Sequence, residues 1–402
     1  MRIALIADVF SPGRTSAAVQ LRDLAREMIA QGHQPTVFLP AHDIVEHWHH
    51  ELVDGIDVMR LRAPRTKDIG YLRRTVAECL ISYFMLWSIR CSPLAETKWD
   101  GVVWYSPTIF LGPVSKALKK RSGCRSYLIV RDIFPEWAAD MGVMRRGLAY
   151  KFFKMVADYQ YDVADTIGIQ TFGNRPYFKD WISRTGGRLE ILHNWLAPTP
   201  FAGCSISLAD TCLAGRQVFV YAGNMGVAQG AEVFLRVAES LRTRRPDIGF
   251  LFVGRGSEVA HMRTEGVARG LSNVVFCDEI APDEISGLYA QCQVGLVALN
   301  INHKTHNIPG KFLSYMQSGL PVLASINPSS DLEELINVER VGKASTDGCI
   351  DSLASLAEEL LVDIGRDEAF ASRCMTLAHR LFSPQVAVKQ IIDALRSNCS
   401  GD

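Results

Sequence analysis

Three absences narrow this 402-residue chain before any motif is considered. No D-x-D pair occurs, so the common carboxylate bridge to a divalent ion carrying a nucleoside diphosphate is missing. The ten cysteines include no C-x-x-C and no metal-type spacing, so neither a zinc ribbon nor a dithiol redox site is indicated. No apolar run reaches the ~20 residues needed to cross a bilayer; the nearest, Val76 to Ile89, is interrupted by Glu78 and Ser82. Net charge is zero, with 43 basic and 43 acidic residues, which argues against a nucleic-acid partner. His42, His47, His49 and His50 cluster, but their spacing fits no closed zinc site, and a polar surface loop explains them.

What is present describes an ordinary globular protein. Apolar residues make up 48% and charged residues 21%, and the length exceeds what one core usually organises, so two domains are expected. The halves differ in charge: residues 1–200 hold 26 Lys and Arg against 20 Asp and Glu, and residues 201–402 hold 17 against 23. That modest basic excess favours an anionic acceptor or membrane surface in the first half. MRIALIADVF carries Asp8 and no small-residue cleavage pattern, so it reads as a buried first strand rather than a secretory leader. Scattered thiols fit a reducing cytosol.

Apolar runs of strand length alternate with helical periodicity along both halves. Strands are expected at Ile3–Ala7, Pro35–Leu39, Ile56–Leu61, Gly101–Trp104, Ser126–Val130, Thr166–Ile169 and Leu189–Leu192. Helices fall at Ala17–Ala30, Tyr71–Arg90, Phe110–Arg121, Leu148–Asp162 and Asn174–Arg184. After a Pro-, Gly-, Ser- and Cys-bearing lapse over Ala197–Gln217, strands resume at Val218–Ala222, Phe250–Val253, Val274–Cys277, Val294–Leu299 and Pro321–Ala324. The class is α/β: two Rossmann-like domains, 1–200 and 201–383, facing across a cleft, with a terminal helix, 384–402, crossing back to the first.

Candidate sites lie where strands end, because open α/β sheets bind ligands at their carboxyl edges. Gly223-Asn224-Met225-Gly226 follows one strand and precedes a long helix, and Gly254-Arg255-Gly256 follows the next. Neither completes a dinucleotide fingerprint, since Val259 stands where the third glycine belongs. Lys311, in IPGKF at a helix start, offers a cation beside free backbone amides, which suits a diphosphate; a solvated surface lysine is the plain alternative. Asp132, after the strand ending at Val130, can orient or deprotonate a hydroxyl, or else cap a helix or pair with Arg131. Gly13 lies in the first strand–helix turn, where it permits close ligand approach or simply makes the turn.

RDIFPEWAADMG, LHNW (Leu192–Trp195), YAGNMGVAQG, VGRGSE and IPGKFLSYMQSGLPVLAS together carry a resemblance over nearly the whole chain. It resembles the retaining nucleotide-sugar glycosyltransferases of the GT-B, family 4 type. Within these it is similar to bacterial enzymes of O-antigen, capsule and exopolysaccharide assembly, some of them N-acetylfucosamine transferases. The resemblance implies a UDP-sugar donor, itself a substrate, held mainly by the C-terminal domain, and retention of anomeric configuration with no bound metal or other cofactor. Lys311, Arg255 and the Gly223–Gly226 turn would stabilise the diphosphate. Donor contacts are implied for Gly13, Asn194, Gly223, Asn224, Gly226, Gly254, His306, Asn307, Ile308, Pro309 and Ser314. The acceptor, a sugar on polyprenyl diphosphate, would meet Arg14, Tyr105 and Glu136, with Asp132 engaging its hydroxyl. The enzyme would work in the cytoplasm, peripheral on the inner face of the plasma membrane.

Three departures from that pattern stand out. His306 and Ser314 occupy the positions of a Glu-x7-Glu pair, Gln229 stands where many relatives have a basic residue, and Tyr105-Ser106-Pro107 replaces a frequent histidine. They leave open a catalytically impaired nucleotide-sugar-binding partner, and the fold also admits a sugar-nucleotide epimerase. For membrane contact the candidate is Arg60 to Arg90: Arg60, Arg62, Arg65, Lys67, Arg73 and Arg74 precede an apolar helix carrying Phe84 and Trp87. Burial of that helix in the fold, with Trp87 in the core, is the alternative.

Overall fold

The computed structural model describes every residue except Arg14, Ala202, Ala228, 301–305, Ser329 and 398–402. Two compact units result, Met1–Trp195 with Pro384–Asp402, and Leu196–Ser383.

The first unit is built on eight strands: β1 (Arg2–Ile6), β2 (Gln34–Ala41), β3 (Trp48–Val53), β4 (Ile56–Arg62), β5 (Gly101–Ser106), β6 (Arg125–Val130), β7 (Thr166–Ile169) and β8 (Arg188–Ile191). Their order is β3-β4-β2-β1-β5-β6-β7-β8, parallel except for β3 against β4. Central strands such as β5 are buried at every position, as a sheet covered on both faces requires. The order reverses between β1 and β5, so the crevice of this sheet opens there.

One face of this sheet packs the helices Tyr71–Arg90, Gly112–Ser122 and Leu148–Val163. The other face packs Ser16–Ala30 and the terminal helix Pro384–Arg396, whose Val388, Ile391, Ile392 and Leu395 join Ile3, Leu5, Leu24 and Val103 in one apolar cluster. A side chain at Gly101 would stand 2.6 Å from Leu395 Cδ1, so the terminal helix lies directly on β5.

The second unit has six parallel strands: β9 (Gln217–Ala222), β10 (Ile248–Val253), β11 (Val274–Cys277), β12 (Val294–Ala298), β13 (Val322–Ser325) and β14 (Gly342–Ser345). They are ordered β11-β10-β9-β12-β13-β14 and enclose a single continuous core. Its reversal falls between β9 and β12, which pair over only two residues, Phe219↔Val294 and Val220↔Gly295. Tyr315 is wedged into that opening. Its hydroxyl donates toward Val220 O (3.0 Å) and Leu296 O (3.3 Å) and accepts from Ala222 N (3.3 Å), joining both strands where they diverge.

Four expectations need correction. The histidine cluster is not wholly a surface loop: His49 and His50 belong to β3, with His50 Nε2 2.9 Å from Asp57. A Gly55 turn with positive φ at Asp54 and Gly55 makes that hairpin. β14, with the sequence GKAS, carries no apolar run to announce it. Asn174–Arg184 is not one helix but a 3-10 segment, Phe172–Phe178, running into a helix at Lys179–Thr185. The glycine turn after β9 does not abut its helix, which starts at Val233 and spans only nine residues.

Ile391 is fully buried on the terminal helix. Ile391→Ala should cost the first unit about 2–5 kcal/mol, read as a lower urea midpoint; a loss below about 1 kcal/mol would remove this helix from the unit's core.

Candidate functional site

In the second unit, the turns after β9 and β10 interlock through backbone. Gly223 N donates to Val253 O and Met225 N to Arg255 O, both at 2.8 Å, and Glu258 N returns to Met225 O at 3.1 Å. A Cβ at Gly254 would lie 2.2 Å from Gly223 O, and one at Gly256 2.1 Å from Met225 O, with φ of 139° and 149°. Close backbone approach therefore accounts for these glycines. It also commits the Gly223 and Met225 amides, which the sequence had offered to a diphosphate. The Gly226 amide meets Gln229 Oε1 at 3.1 Å, and Asn224 Nδ2 reaches the same oxygen at 2.9 Å.

Lys311 comes to this turn from the helix Gly310–Gln317, which Pro309 leads in at φ −63° and ψ 142°. Its Nζ sits 4.6 Å over the Tyr221 ring and 3.5 Å from Asn224 O. Gly223 makes room for it, since a Cβ there would stand 3.1 Å from Lys311 Cε. Part of the side chain reaches solvent, but its surroundings are crowded, and burial lowers the ammonium pKa to about 8. Among the described residues no carboxylate pairs with it. Lys311 is thus not the solvated surface lysine of the plain alternative. A ring face and a carbonyl oxygen are weak partners for a desolvated cation, and an anion placed here would restore its charge.

The other residues expected around the donor are differently placed. Arg255 extends into solvent with its side chain 78% exposed, 3.3 Å from Glu279, which is itself exposed. An exposed pair of this kind contributes little stability and leaves Arg255 free to turn. His306 is half-buried, and its enclosed Nδ1 has no partner among the described residues; Asn307 follows, and Ile308 enters the core. Ser314, one turn from Lys311, lies beside Tyr289, whose ring packs 4.8 Å from that of Tyr315.

At the carboxyl edge of the first sheet, the two quoted motifs hold each other. The buried Arg131 guanidinium donates to Leu192 O at 2.9 Å and to His193 O at 3.5 Å, and stacks 4.6 Å from the Trp195 ring. Gln170 Nε2 returns to Arg131 O at 3.0 Å while its Oε1 accepts from Asn194 Nδ2 at 3.0 Å. Asn194, expected among the donor contacts, lies in this network, its buried Oδ1 without a partner among the described residues. Tyr105 donates to Gln20 Oε1 (3.0 Å), and Trp195 Nε1 donates to Gln20 O (2.7 Å). The sequence did not single out Gln20, Gln170 or Trp195 individually, because most of their partners are backbone atoms or distant in the chain.

Asp132 opens to solvent beside this network, yet burial raises its carboxyl pKa, with Arg131 opposing the shift. Asp8, just past the end of β1, has its pKa raised by burial as well, and one of its carboxylate oxygens has no partner among the described residues. Glu136, by contrast, is buried and held 3.3 Å from Lys154, so it is committed to the fold's interior. Gly13 donates to Phe10 O at 3.0 Å, and a Cβ there would stand 2.9 Å from the same oxygen, so a tight turn explains it. Arg14 lies outside the described residues.

Residues 216–379, nearly all of the second unit, match the model of the glycosyl transferases group 1 family. The chain is a glycosyltransferase. It is 21% identical over 357 residues to the putative colanic acid biosynthesis glycosyl transferase WcaI of Escherichia coli K12, covering 83% of this chain and 86% of that one. The probable glycosyltransferase WbjE of Pseudomonas aeruginosa is 22% identical over 313 residues, 76% of each chain. Among solved structures, Anabaena HepE in complex with UDP and glucose superposes with a TM-score of 0.64 at 16% identity, covering 99% of this chain and 100% of that one. The fold is GT-B.

The depressed pKa of Lys311 has a stability consequence. Unfolded, the lysine keeps its ordinary value near 10.5, so below about pH 8 it is charged in both states and the fold carries the full desolvation cost. Between the two values that cost fades and stability rises with pH. Lys311→Met should therefore raise Tm at pH 7, with the gain shrinking from about pH 8 upward. Equal Tm values for variant and wild type at both pH 7 and pH 10 would show an unburdened lysine.

Proposed function

We propose that this glycosyltransferase moves a sugar, of the N-acetylamino class, from a UDP-sugar to a glycan hydroxyl carried on polyprenyl diphosphate, in the synthesis of cell-surface polysaccharide. The observation that carries this reading is Lys311, a desolvated cation with no carboxylate partner among the described residues, beside the β9–β12 reversal. UDP in the HepE structure and colanic acid in the name of WcaI support the nucleotide and the pathway class. Asp132, accessible and with a raised pKa, is suited to engage the acceptor hydroxyl. Transfer with retention, and with the leaving diphosphate met by protein donors instead of a metal, agrees with a sequence that has no D-x-D.

Incubation with UDP-sugars and lipid-linked acceptors tests the reading. Turnover should continue in EDTA, and Lys311→Ala should lower kcat/KM about 10²–10³-fold. Loss of turnover reversed only by Mg²⁺ or Mn²⁺, or an unchanged kcat/KM in Lys311→Ala, would overturn the diphosphate assignment. A second reading, a non-catalytic nucleotide-sugar-binding partner, draws on Ser314, a neutral hydroxyl beside Tyr289 where relatives carry a glutamate. Donor binding without turnover on any acceptor would favour it.

Peripheral membrane contact forms part of the same proposal. No helix among the described residues is long and apolar enough to cross a membrane. The helix Tyr71–Arg90 nevertheless leaves Leu72, Val76, Leu80, Tyr83, Phe84 and Trp87 exposed, Trp87 by 48%, so Trp87 is not a core residue. Helix Leu148–Val163 adds Leu148, Phe152, Met155 and Tyr159. Arg73 and Arg74 stand at the start of the first helix, and Arg62, Arg65 and Lys67 lie just before it. Arg60 is excluded from that set, since it is half-buried and 2.6 Å from Glu51. Apolar stripes beside cationic groups suit an anionic headgroup layer, each basic group near it contributing about 1 kcal/mol. The protein should float with anionic liposomes at low salt, and replacing Arg62, Arg65, Lys67, Arg73 and Arg74 by Gln should abolish flotation. Equal flotation of the variant would place the contact elsewhere.

A further inference from the structure

The two sheets end on the strands β3, β8, β11 and β14. Three of these edges carry charge. β3 holds Glu51 beside His49 and His50, β8 holds Arg188 and Glu190 as an ion pair, and β14 holds Lys343, which reaches Asp363. Charged side chains on an edge strand discourage pairing with another chain. β11 reads VVFC, with no charge, proline or glycine, and each of its residues is half-buried. Phe250 N donates to Asn273 O at 2.8 Å and Gly254 N to Cys277 O at 3.2 Å, so the odd-numbered residues of β11 bond β10. The N–H and C=O groups of Val274 and Phe276 therefore point away from the sheet. Beside them lies a shallow groove of about 300 Å³, lined by Arg263, Gly266, Val267, Gly270, Val274 and Phe276. Val267, on the helix Val259–Ala268, is 82% exposed. The two ends of this edge differ in charge. At the amino end Arg242 donates to Arg269 O (3.0 Å) and Gly270 O (2.6 Å), with no carboxylate partner among the described residues. At the carboxyl end stand Glu279 and Asp278, the latter with its side chain 94% exposed.

We propose that this edge docks a second copy of the chain, paired antiparallel through β11 about a two-fold axis at Val275. Val274 of each copy then lies opposite Phe276 of the other, and each such pair exchanges both of its backbone hydrogen bonds. The two six-stranded sheets become one, and β11 is no longer an edge. Charge selects this partner and this direction. The register sets Asp278 of one copy opposite Ser272 of the other, so the acidic end of each strand meets the end that holds Arg242. Parallel pairing would set like ends together. Side chains directly opposite in antiparallel strands share a face. The two grooves therefore merge on one side of the joint, and both Val267 side chains are covered there. A contact of this symmetry closes at two copies and propagates no fibre. It is independent of which sugar or acceptor the enzyme uses.

Sedimentation velocity of the full chain over a concentration series should show reversible conversion of monomer to dimer. Hydrogen exchange should locate the joint: the Val274 and Phe276 amides should be protected where the dimer dominates and exchange about tenfold faster or more on dilution to monomer. Val274→Pro removes an outward N–H and leaves the β10 ladder intact. Val267→Glu brings two like charges together in the merged groove. Each should raise the dimer Kd about tenfold or more. Asp278→Lys should also weaken the dimer, and unchanged association in that variant would overturn the antiparallel register. A chain that stays monomeric at every concentration overturns the proposal, even if another protein can be captured on this edge. A dimer whose Kd stays within about twofold in folded Val274→Pro and Val267→Glu overturns it too, because the contact then lies elsewhere. Should Val274→Pro not fold, Val267→Glu and the exchange of the two amides decide.

Discussion

A lysine ammonium held among protein atoms, in contact with an aromatic face and a carbonyl oxygen, is the constraint around which the second unit is arranged. Such a group is costly in the empty protein, and the cost falls when an anion arrives. Several features place it. Tyr315 wedges β9 from β12 and thereby seats its own helix at the sheet's reversal; Lys311 lies one turn earlier on that helix. Gly223 has no side chain to block the lysine stem, and Tyr221 spends its hydroxyl on Asn224 O at 2.9 Å, leaving its ring face to the cation. Site and fold are thus made from the same residues.

The first unit solves a different problem with a buried cation of its own. Arg131 is fully charged chemistry turned to structural use: its guanidinium ties the carboxyl end of β6 to the chain leaving β8, and Trp195 and Tyr105 stack around it. Asp132, the next residue, points to solvent. Adjacent residues at a strand's end thereby differ, one buried and bracing the strand end and the other exposed. The Arg–Asp dipeptide is a buried strut followed by an exposed carboxylate whose pKa burial raises.

Much of this was legible in the sequence, for physical reasons that also explain the rest. Twelve of the fourteen strands follow from apolar runs, because a parallel sheet buried on both faces must be apolar along its length. β3, reading WHHELV at an edge, and β14, reading GKAS, have no such requirement and left no such signal. Strand ends likewise pointed to Lys311, Asp132 and the glycine turns. What the glycines were for did not follow, since Gly254 and Gly256 answer to carbonyl oxygens of Gly223 and Met225, and backbone acceptors carry no side-chain signature. Glu136 and Arg60 were misjudged for a related reason: Lys154 and Glu51 neutralise them in space, where spacing along the chain gives no hint.

The most direct measurement is the proton balance of UDP binding near pH 8. Free UDP is fully ionised there, whereas Lys311, with its pKa at about 8, is half-protonated. If the diphosphate settles against that ammonium, binding must draw the missing proton from the buffer. Calorimetry in buffers of different ionisation enthalpy should report a net proton uptake on UDP binding at pH 8 that is absent in Lys311→Met. UDP binding with no proton uptake at pH 8, or with an uptake that persists in Lys311→Met, would contradict the account.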